Sequence, residues 1–200
     1  MRLGIFGGTF SPPHIGHVRA LSSFASALSL DKILVIPTFV PPHKEYNEQV
    51  SADDRLEMAR LAFSDIPSVE ISDLEIKRGG KSYTYLTLEQ LSGDDVEIYF
   101  LCGTDMLLSL DRWMNFRRVF SLCRICYVRR EDDVSLTSCI SKKTAEYTAK
   151  YEAEIIEIPA NAIEISSTEL REGIKSGDAD VLKNIPESVL SYINERGLYQ

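Results

Sequence analysis

The sequence is poor in histidine, cysteine and tryptophan, and each scarcity excludes something. Its three histidines (His14, His17 and His43) all lie far from the lone CxxC formed by Cys123 and Cys126. That pair has no second ligand pair, which argues against a zinc site. The four cysteines (Cys102, Cys123, Cys126 and Cys139) sit mostly among apolar neighbours. This fits packing in a reducing, cytoplasmic compartment better than a disulfide framework. No apolar run approaches the length of a membrane span, and the first residues turn polar too quickly for a signal peptide, reading as a strand instead. Basic residues are in deficit, with 22 Lys and Arg against 30 Asp and Glu and a net charge of −8. Non-specific nucleic-acid binding and attachment to anionic membranes are therefore disfavoured, although a local basic pocket is compatible with that balance.

What is present is ordinary globular material, 44% hydrophobic and 26% charged over 200 residues. A chain of this length buries about 70% of its unfolded surface, enough for a core without disulfides or structural metal. Short apolar runs at 2–6, 32–37, 68–73, 96–102, 123–128 and 154–158 read as strands. Helical patterns lie near 15–28, 52–64, 84–92, 106–120 and 137–150, and two or three more follow residue 166. This alternation predicts an α/β fold, a doubly wound, mostly parallel sheet with helices on both faces and a helical C-terminal segment. The nearly unbroken apolar runs IYFLC and ILVIP suit strands buried on both sides. With no repeat, low-complexity tract or convincing linker, residues 1–200 are expected to form one domain. In such sheets ligands gather at the carboxyl ends of strands, so the segments just after each strand carry the functional reading.

The segment after the first strand is GGTFSPPHIGH, residues 7–17. Gly7 and Gly8 allow a tight turn and close backbone approach to a ligand. Pro12 and Pro13 stiffen the loop, and His14 and His17 share one face of a first helical turn. Glycines, free helix N–H groups and two imidazoles together suit a phosphate. This loop is neither a Walker-type loop, lacking Lys-Ser or Lys-Thr, nor the dinucleotide GxGxxG. Downstream, ISSTELR at 165–171 has capping-box spacing between Ser166 and Glu169, which explains a helix start but not Ser167, Thr168 or Arg171. Hydroxyls and amides at a helix start, with an Arg one turn on, would make a second phosphate clamp.

HIGH followed far downstream by this Ser/Thr-rich helix start resembles the nucleotidyltransferase superfamily that shares the HxGH motif. Class I aminoacyl-tRNA synthetases also carry HIGH, but they are much larger, and a Lys-Met-Ser-Lys-Ser loop is absent from this sequence. Further segments narrow the resemblance. FVPPHKEY (39–46) carries His43 and Lys44, SYT brings Thr84 to a helix start, and GTD (103–105) with Trp113 follows the fourth strand. Together with the tail VLSYINERGLY, they make the whole chain similar to the bacterial nicotinate-nucleotide adenylyltransferase family. Ser11, where an Asp is usual, and Thr104, where Ala is common, depart from that pattern.

The resemblance implies a Rossmann-like fold and transfer of AMP from ATP to nicotinate mononucleotide, giving deamido-NAD and pyrophosphate for NAD biosynthesis. It implies that His14, His17 and Arg171 are catalytic. Gly7, Gly8, Thr9, Phe10, Asp105, Ser166, Ser167 and Thr168 join them in holding ATP. His43, Lys44, Thr84 and Trp113 would hold the mononucleotide. Mg2+ is expected to travel on the ATP phosphates, with no metal site of the protein's own. ATP and nicotinate mononucleotide are the expected partners, without nucleic acid or membrane, and a homo-oligomer is left open. Nicotinamide mononucleotide or phosphopantetheine as acceptor, or a catalytically silent nucleotide-binding regulator, are the competing readings.

Overall fold

A computed structural model describes residues 1–42, 50–129, 134–160 and 165–200. In chain order the elements are β1 (Arg2–Gly8), α1 (Ile15–Ala27), β2 (Lys32–Pro37), α2 (Ala52–Phe63), β3 (Val69–Ile71), α3 (Leu74–Arg78), α4 (Thr84–Leu91) and β4 (Glu97–Gly103). Then come α5 (Thr104–Ser109), a 3-10 turn (Leu110–Arg112), α6 (Phe116–Leu122), β5 (Cys123–Val128), α7 (Val134–Tyr151) and β6 (Ile155–Ile158). Helices α8 (Ser167–Ser176), α9 (Ala179–Leu182) and α10 (Glu187–Arg196) follow.

The six strands form one sheet in the order β3-β2-β1-β4-β5-β6. Every neighbouring pair is parallel, with Leu3–Gly8 of β1 opposite 32–37 and Arg2–Phe6 opposite 97–101. This is the Rossmann-like doubly wound α/β fold that the strand-helix alternation predicts. Alternate strand residues bury opposite faces, which is why the central strands read as unbroken apolar runs. Ile5, Ile36, Phe100 and Ile125 pack on one face beneath Leu88, Leu107 and Val119. Phe6, Val35, Leu101 and Cys126 pack on the other against Leu21, Phe24 and Phe63. A third cluster joins Met58 of α2 to Leu170 of α8 and Val189 and Ile193 of α10, so the last helices dock on the back of α2.

The helix expected over 106–120 is not continuous. It breaks into α5, the 3-10 turn and α6, with Trp113 extended and Asn115 at φ 52°. Asn tolerates this left-handed backbone better than most residues. Asp111 anchors the break, accepting from Lys143 Nζ at 2.6 Å and from the Tyr147 hydroxyl at 3.1 Å. Helix α3 escapes the sequence pattern because five residues are too few to display a period. The strand expected over 68–73 shortens to 69–71 because β3 lies at the sheet edge and pairs only with β2. Cys102, Cys123 and Cys126 are buried, whereas Cys139 is exposed. Burial pushes the Cys126 thiol up to about 12 and raises that of Cys123 as well, so neither is a ready thiolate.

Candidate active site

The strand order reverses between β1 and β4, and ligands of doubly wound folds bind at such a switch point. A crevice of about 920 Å³ opens there, near the upper end of the range for small-molecule sites. Both sequence-nominated clamps reach it, from residues more than 150 positions apart.

On the β1 side the loop is shaped by close contacts. Phe10 adopts φ 50°, and its ring is buried against Phe6, Phe63 and His17. A Cβ at Gly8 would lie 2.8 Å from that ring, so Gly8 is needed to admit Phe10, whereas a Cβ at Gly7 would meet only ordinary contact. Gly16 has a comparable role, since a Cβ there would press on the His14 ring at 3.0 Å. His14 is buried, and its ring lies 3.7 Å from that of His17, centroid to centroid. His17 Nδ1 accepts from the His14 backbone N–H at 3.2 Å. An accepting Nδ1 carries no proton, so a neutral His17 holds its proton on Nε2, as a donor. The first-turn amides are less free than the motif suggests, because Ile15 N–H is bonded to Asn184 O at 2.9 Å.

Facing this loop, Ser166 caps α8 in the predicted capping box. Its Oγ accepts from Glu169 N–H at 3.2 Å, and its own N–H donates to Glu169 Oε2 at 2.8 Å. The Ser166 hydroxyl and amide together hold the Glu169 carboxyl below its ordinary value. Ser167 Oγ donates to Pro12 O at 3.0 Å, so its proton is already spent on the β1 loop. Thr168 Oγ1 instead accepts from Arg171 Nη2 at 3.0 Å, which leaves the hydroxyl proton to give. Arg171 Nη1 donates to Ser11 O at 2.8 Å, tying the second clamp to the first.

The crevice is also lined by Thr84, Thr87 and Leu88 of α4 and by Trp113, which follows the 3-10 turn. Trp113 meets Phe100 edge to face at 6.2 Å. Asp105, in the first turn of α5, lines the crevice from β4. Thr104 is buried, with its hydroxyl donated to Val128 O at 3.2 Å, so the crossing to β5 gives this departure from the family pattern a partner.

Of the nominated residues, Gly7, Gly8, Thr9, His14 and His17 line the crevice from the β1 loop. Asp105, Thr84 and Trp113 line it as well, as do Ser166, Ser167, Thr168 and Arg171. Phe10 is not among its lining residues and supports the loop from beneath. His43 and Lys44 lie outside the described residues. Sequence reading overlooked Arg112 and Tyr199, which also line the crevice. Arg112 is signalled only by its place beside Trp113, and Tyr199 only by its place in the tail motif. Among the described residues, no three His, Cys, Asp or Glu side chains gather as a metal site, and no helix is long and apolar enough to cross a membrane.

Comparison with known proteins agrees with this architecture. The cytidylyltransferase-like family model matches residues 5–173. The chain is 37% identical to a probable nicotinate-nucleotide adenylyltransferase of Desulfatibacillum aliphaticivorans, with 100% of both chains covered. It is 38% identical to another from Clostridium botulinum (strain Alaska E43 / Type E3), covering 100% of this chain and 98% of the relative. The fold is similar to that of Plasmodium falciparum nicotinic acid mononucleotide adenylyltransferase complexed with NaAD. There the TM-score is 0.75 at 20% identity, over 99% of this chain and 97% of the other.

Proposed function

The chain belongs to the cytidylyltransferase-like family and, within it, to the nicotinate-nucleotide adenylyltransferases, and from that premise we propose how its crevice works. The enzyme transfers AMP from ATP to nicotinate mononucleotide, forming deamido-NAD and pyrophosphate in NAD biosynthesis. The observation that carries the site assignment is the meeting of His14, His17, Thr168 and Arg171 with Thr84 and Trp113 in one crevice. The crevice combines phosphate donors with a flat ring and a helix start, matching a triphosphate and a pyridine mononucleotide. Residues 1–200 act as a single nucleotidyltransferase domain.

A phosphate oxygen of the mononucleotide is ionised at neutral pH, so the nucleophile needs no general base. That oxygen attacks the α-phosphorus of ATP, the bond from α-phosphorus to the bridging oxygen breaks, and its electron pair leaves with pyrophosphate. Catalysis then rests on alignment and on donors aimed at developing charge. His17 donates from Nε2 and His14 flanks it, while Arg171 and the Thr168 hydroxyl meet the leaving phosphates. Ser166 and Ser167 serve chiefly by fixing the helix start and the β1 loop, since their protons are engaged there. Gly7, Gly8 and Thr9 give backbone approach, Asp105 accepts from a ribose hydroxyl, and the family pattern assigns His43 and Lys44 to the mononucleotide, Lys44 to its phosphate. Mg2+ arrives as part of the substrate MgATP, held mainly by phosphate and water oxygens.

Pyrophosphate release from ATP, followed in parallel with nicotinate mononucleotide, nicotinamide mononucleotide and phosphopantetheine, tests this reading. Fastest release with nicotinate mononucleotide is expected. Preference for another acceptor would reassign the substrate, and nucleotide binding without release under any condition would make the chain a regulator.

A further inference from the structure

Ser11 and the tail motif have no part in the chemistry above, yet they meet. Tyr199 lies 188 residues beyond Ser11, and its hydroxyl is 2.9 Å from Ser11 Oγ. We propose that Tyr199 is a positioning residue for the phosphate loop, acting through Ser11, an inference that rests on the crevice being the ATP site.

The same residue is held twice. Its side chain meets Tyr199, and its carbonyl accepts from Arg171 Nη1 at 2.8 Å. The next carbonyl, that of Pro12, accepts from Ser167 Oγ at 3.0 Å. Since Pro12 and Pro13 restrict the backbone from there to His14, the placement of Ser11 sets where both imidazoles stand and where Arg171 points. Tyr199 is itself firmly placed. It is 4% exposed, packs in the cluster with Leu170, Val189 and Ile193, and lines the crevice. Its φ of 63° is left-handed, a conformation that a residue with a Cβ keeps only when its surroundings impose it. Core packing needs only the ring, since Phe would fill the same space. The hydroxyl is what reaches the loop, and burial pushes its pKa up to about 12. Tyr199 thus connects the α8–α10 layer to the first strand's loop, and the serine hydroxyl is the matching half of the contact.

The test compares Tyr199→Phe, Ser11→Ala, Ser11→Thr and the Tyr199→Phe/Ser11→Ala double variant with the wild-type protein. The readouts are the KM of each substrate, kcat, melting temperature, and calorimetric affinity for a non-hydrolysable ATP analogue with no acceptor present. Losing one neutral hydrogen bond predicts about a fivefold weaker analogue affinity and a similar rise in KM for ATP in Tyr199→Phe and in Ser11→Ala. The KM for nicotinate mononucleotide should stay within about twofold. The double variant should be no worse than either single one, because both remove the same contact. Ser11→Thr keeps a hydroxyl and should bind the analogue as the wild type does. Unchanged analogue affinity in Tyr199→Phe, multiplicative losses in the double variant, or equal weakening for both substrates would overturn the proposal. Wild-type protein that binds the analogue but releases no pyrophosphate would count against the adenylyltransferase reading alone, leaving the binding comparison decisive for Tyr199.

Discussion

Arg55 offers the sharpest test of how the loops after β1 and β2 are held. This side chain on α2 is fully buried. Its Nη1 donates to Thr9 O at 3.0 Å and to Thr38 O at 2.6 Å, and its Nη2 donates to Phe39 O at 3.1 Å. One guanidinium therefore fastens the loop after β1 to the loop after β2. Arg55→Met keeps most of the stem and removes the fork. Three carbonyls losing a charged donor at about 1–3 kcal/mol each would suggest a loss of roughly 3–9 kcal/mol. Two terms reduce that figure. The desolvation penalty of burying a cation, several kcal/mol, is no longer incurred. Thr9 and Thr38 also line the crevice, so water can reach part of the vacated space.

A net loss of about 2–4 kcal/mol remains, since buried carbonyls left without a donor still cost stability after these two terms are counted. For a chain of this size each kcal/mol shifts Tm by about 2–4 °C, so calorimetry should record a fall of roughly 5–15 °C. Arg55→Lys should fall between the two, because an ammonium group cannot match the planar fork toward carbonyls on two loops. Urea titration provides the independent free energy. A loss below about 1 kcal/mol in Arg55→Met would refute the idea that this guanidinium holds the loops together.

Other outcomes follow from the same geometry. His17→Ala should lower kcat by about 10²–10³ while costing about 1 kcal/mol or less of stability, measured by steady-state kinetics and melting; near-normal turnover would make the HxGH face structural. Trp113→Ala should weaken use of the mononucleotide by about 1 kcal/mol while leaving the KM for ATP nearly unchanged, and an effect confined to ATP would put the ring beside the wrong substrate. Nicotinate should be favoured over nicotinamide by roughly two powers of ten in kcat/KM, since the start of α4 offers donors to a carboxylate and faces the amide's donors with more donors; equal efficiency refutes this. Glu75 also lines the crevice, with Arg78 Nη2 at 3.7 Å from its carboxylate and the Thr87 hydroxyl donating to it. Asp54 accepts from Tyr192 at 2.8 Å and Arg196 at 3.2 Å, joining α2 to α10. Burial raises its pKa, but hydrogen bonds from Ser51 and Tyr192 and the Arg196 charge outweigh this and hold it below its ordinary value. A depressed folded pKa gives stability that is complete above the unfolded value of about 3.9 and is lost as pH falls through the folded one. Asp54→Asn should therefore be about 1–2 kcal/mol less stable at neutral pH, with a gap that closes in acid; a gap that widens in acid would reverse the sign of the argument.

The sequence is most legible where the determinants of structure are local. Strands β1, β2, β4 and β5 are buried on both faces, so their apolar runs are continuous and their positions agree with the pattern to within about two residues. The motif at 7–17 is legible for the same reason: its glycines, prolines and histidines act within one turn of chain. The α5–α6 break is not, because Asp111 is fixed by Lys143 and Tyr147, some 32 and 36 residues later, and a period of 3.6 continues across the sequence of the break. Gly16 shows the limit within a motif. Its place in HIGH is evident, but only the His14 ring, 3.0 Å from where a Cβ would stand, shows that a side chain there would crowd that imidazole. Arg55 and Tyr199 are harder still. One reads as a charged residue on an amphipathic helix and the other as the end of a helical tail, and their partners lie 46 and 188 positions away. The groups expected to touch substrate carry their signal in local spacing. Those that hold these groups in place carry theirs in contacts that exist only after folding, where a buried polar atom has to find its partner.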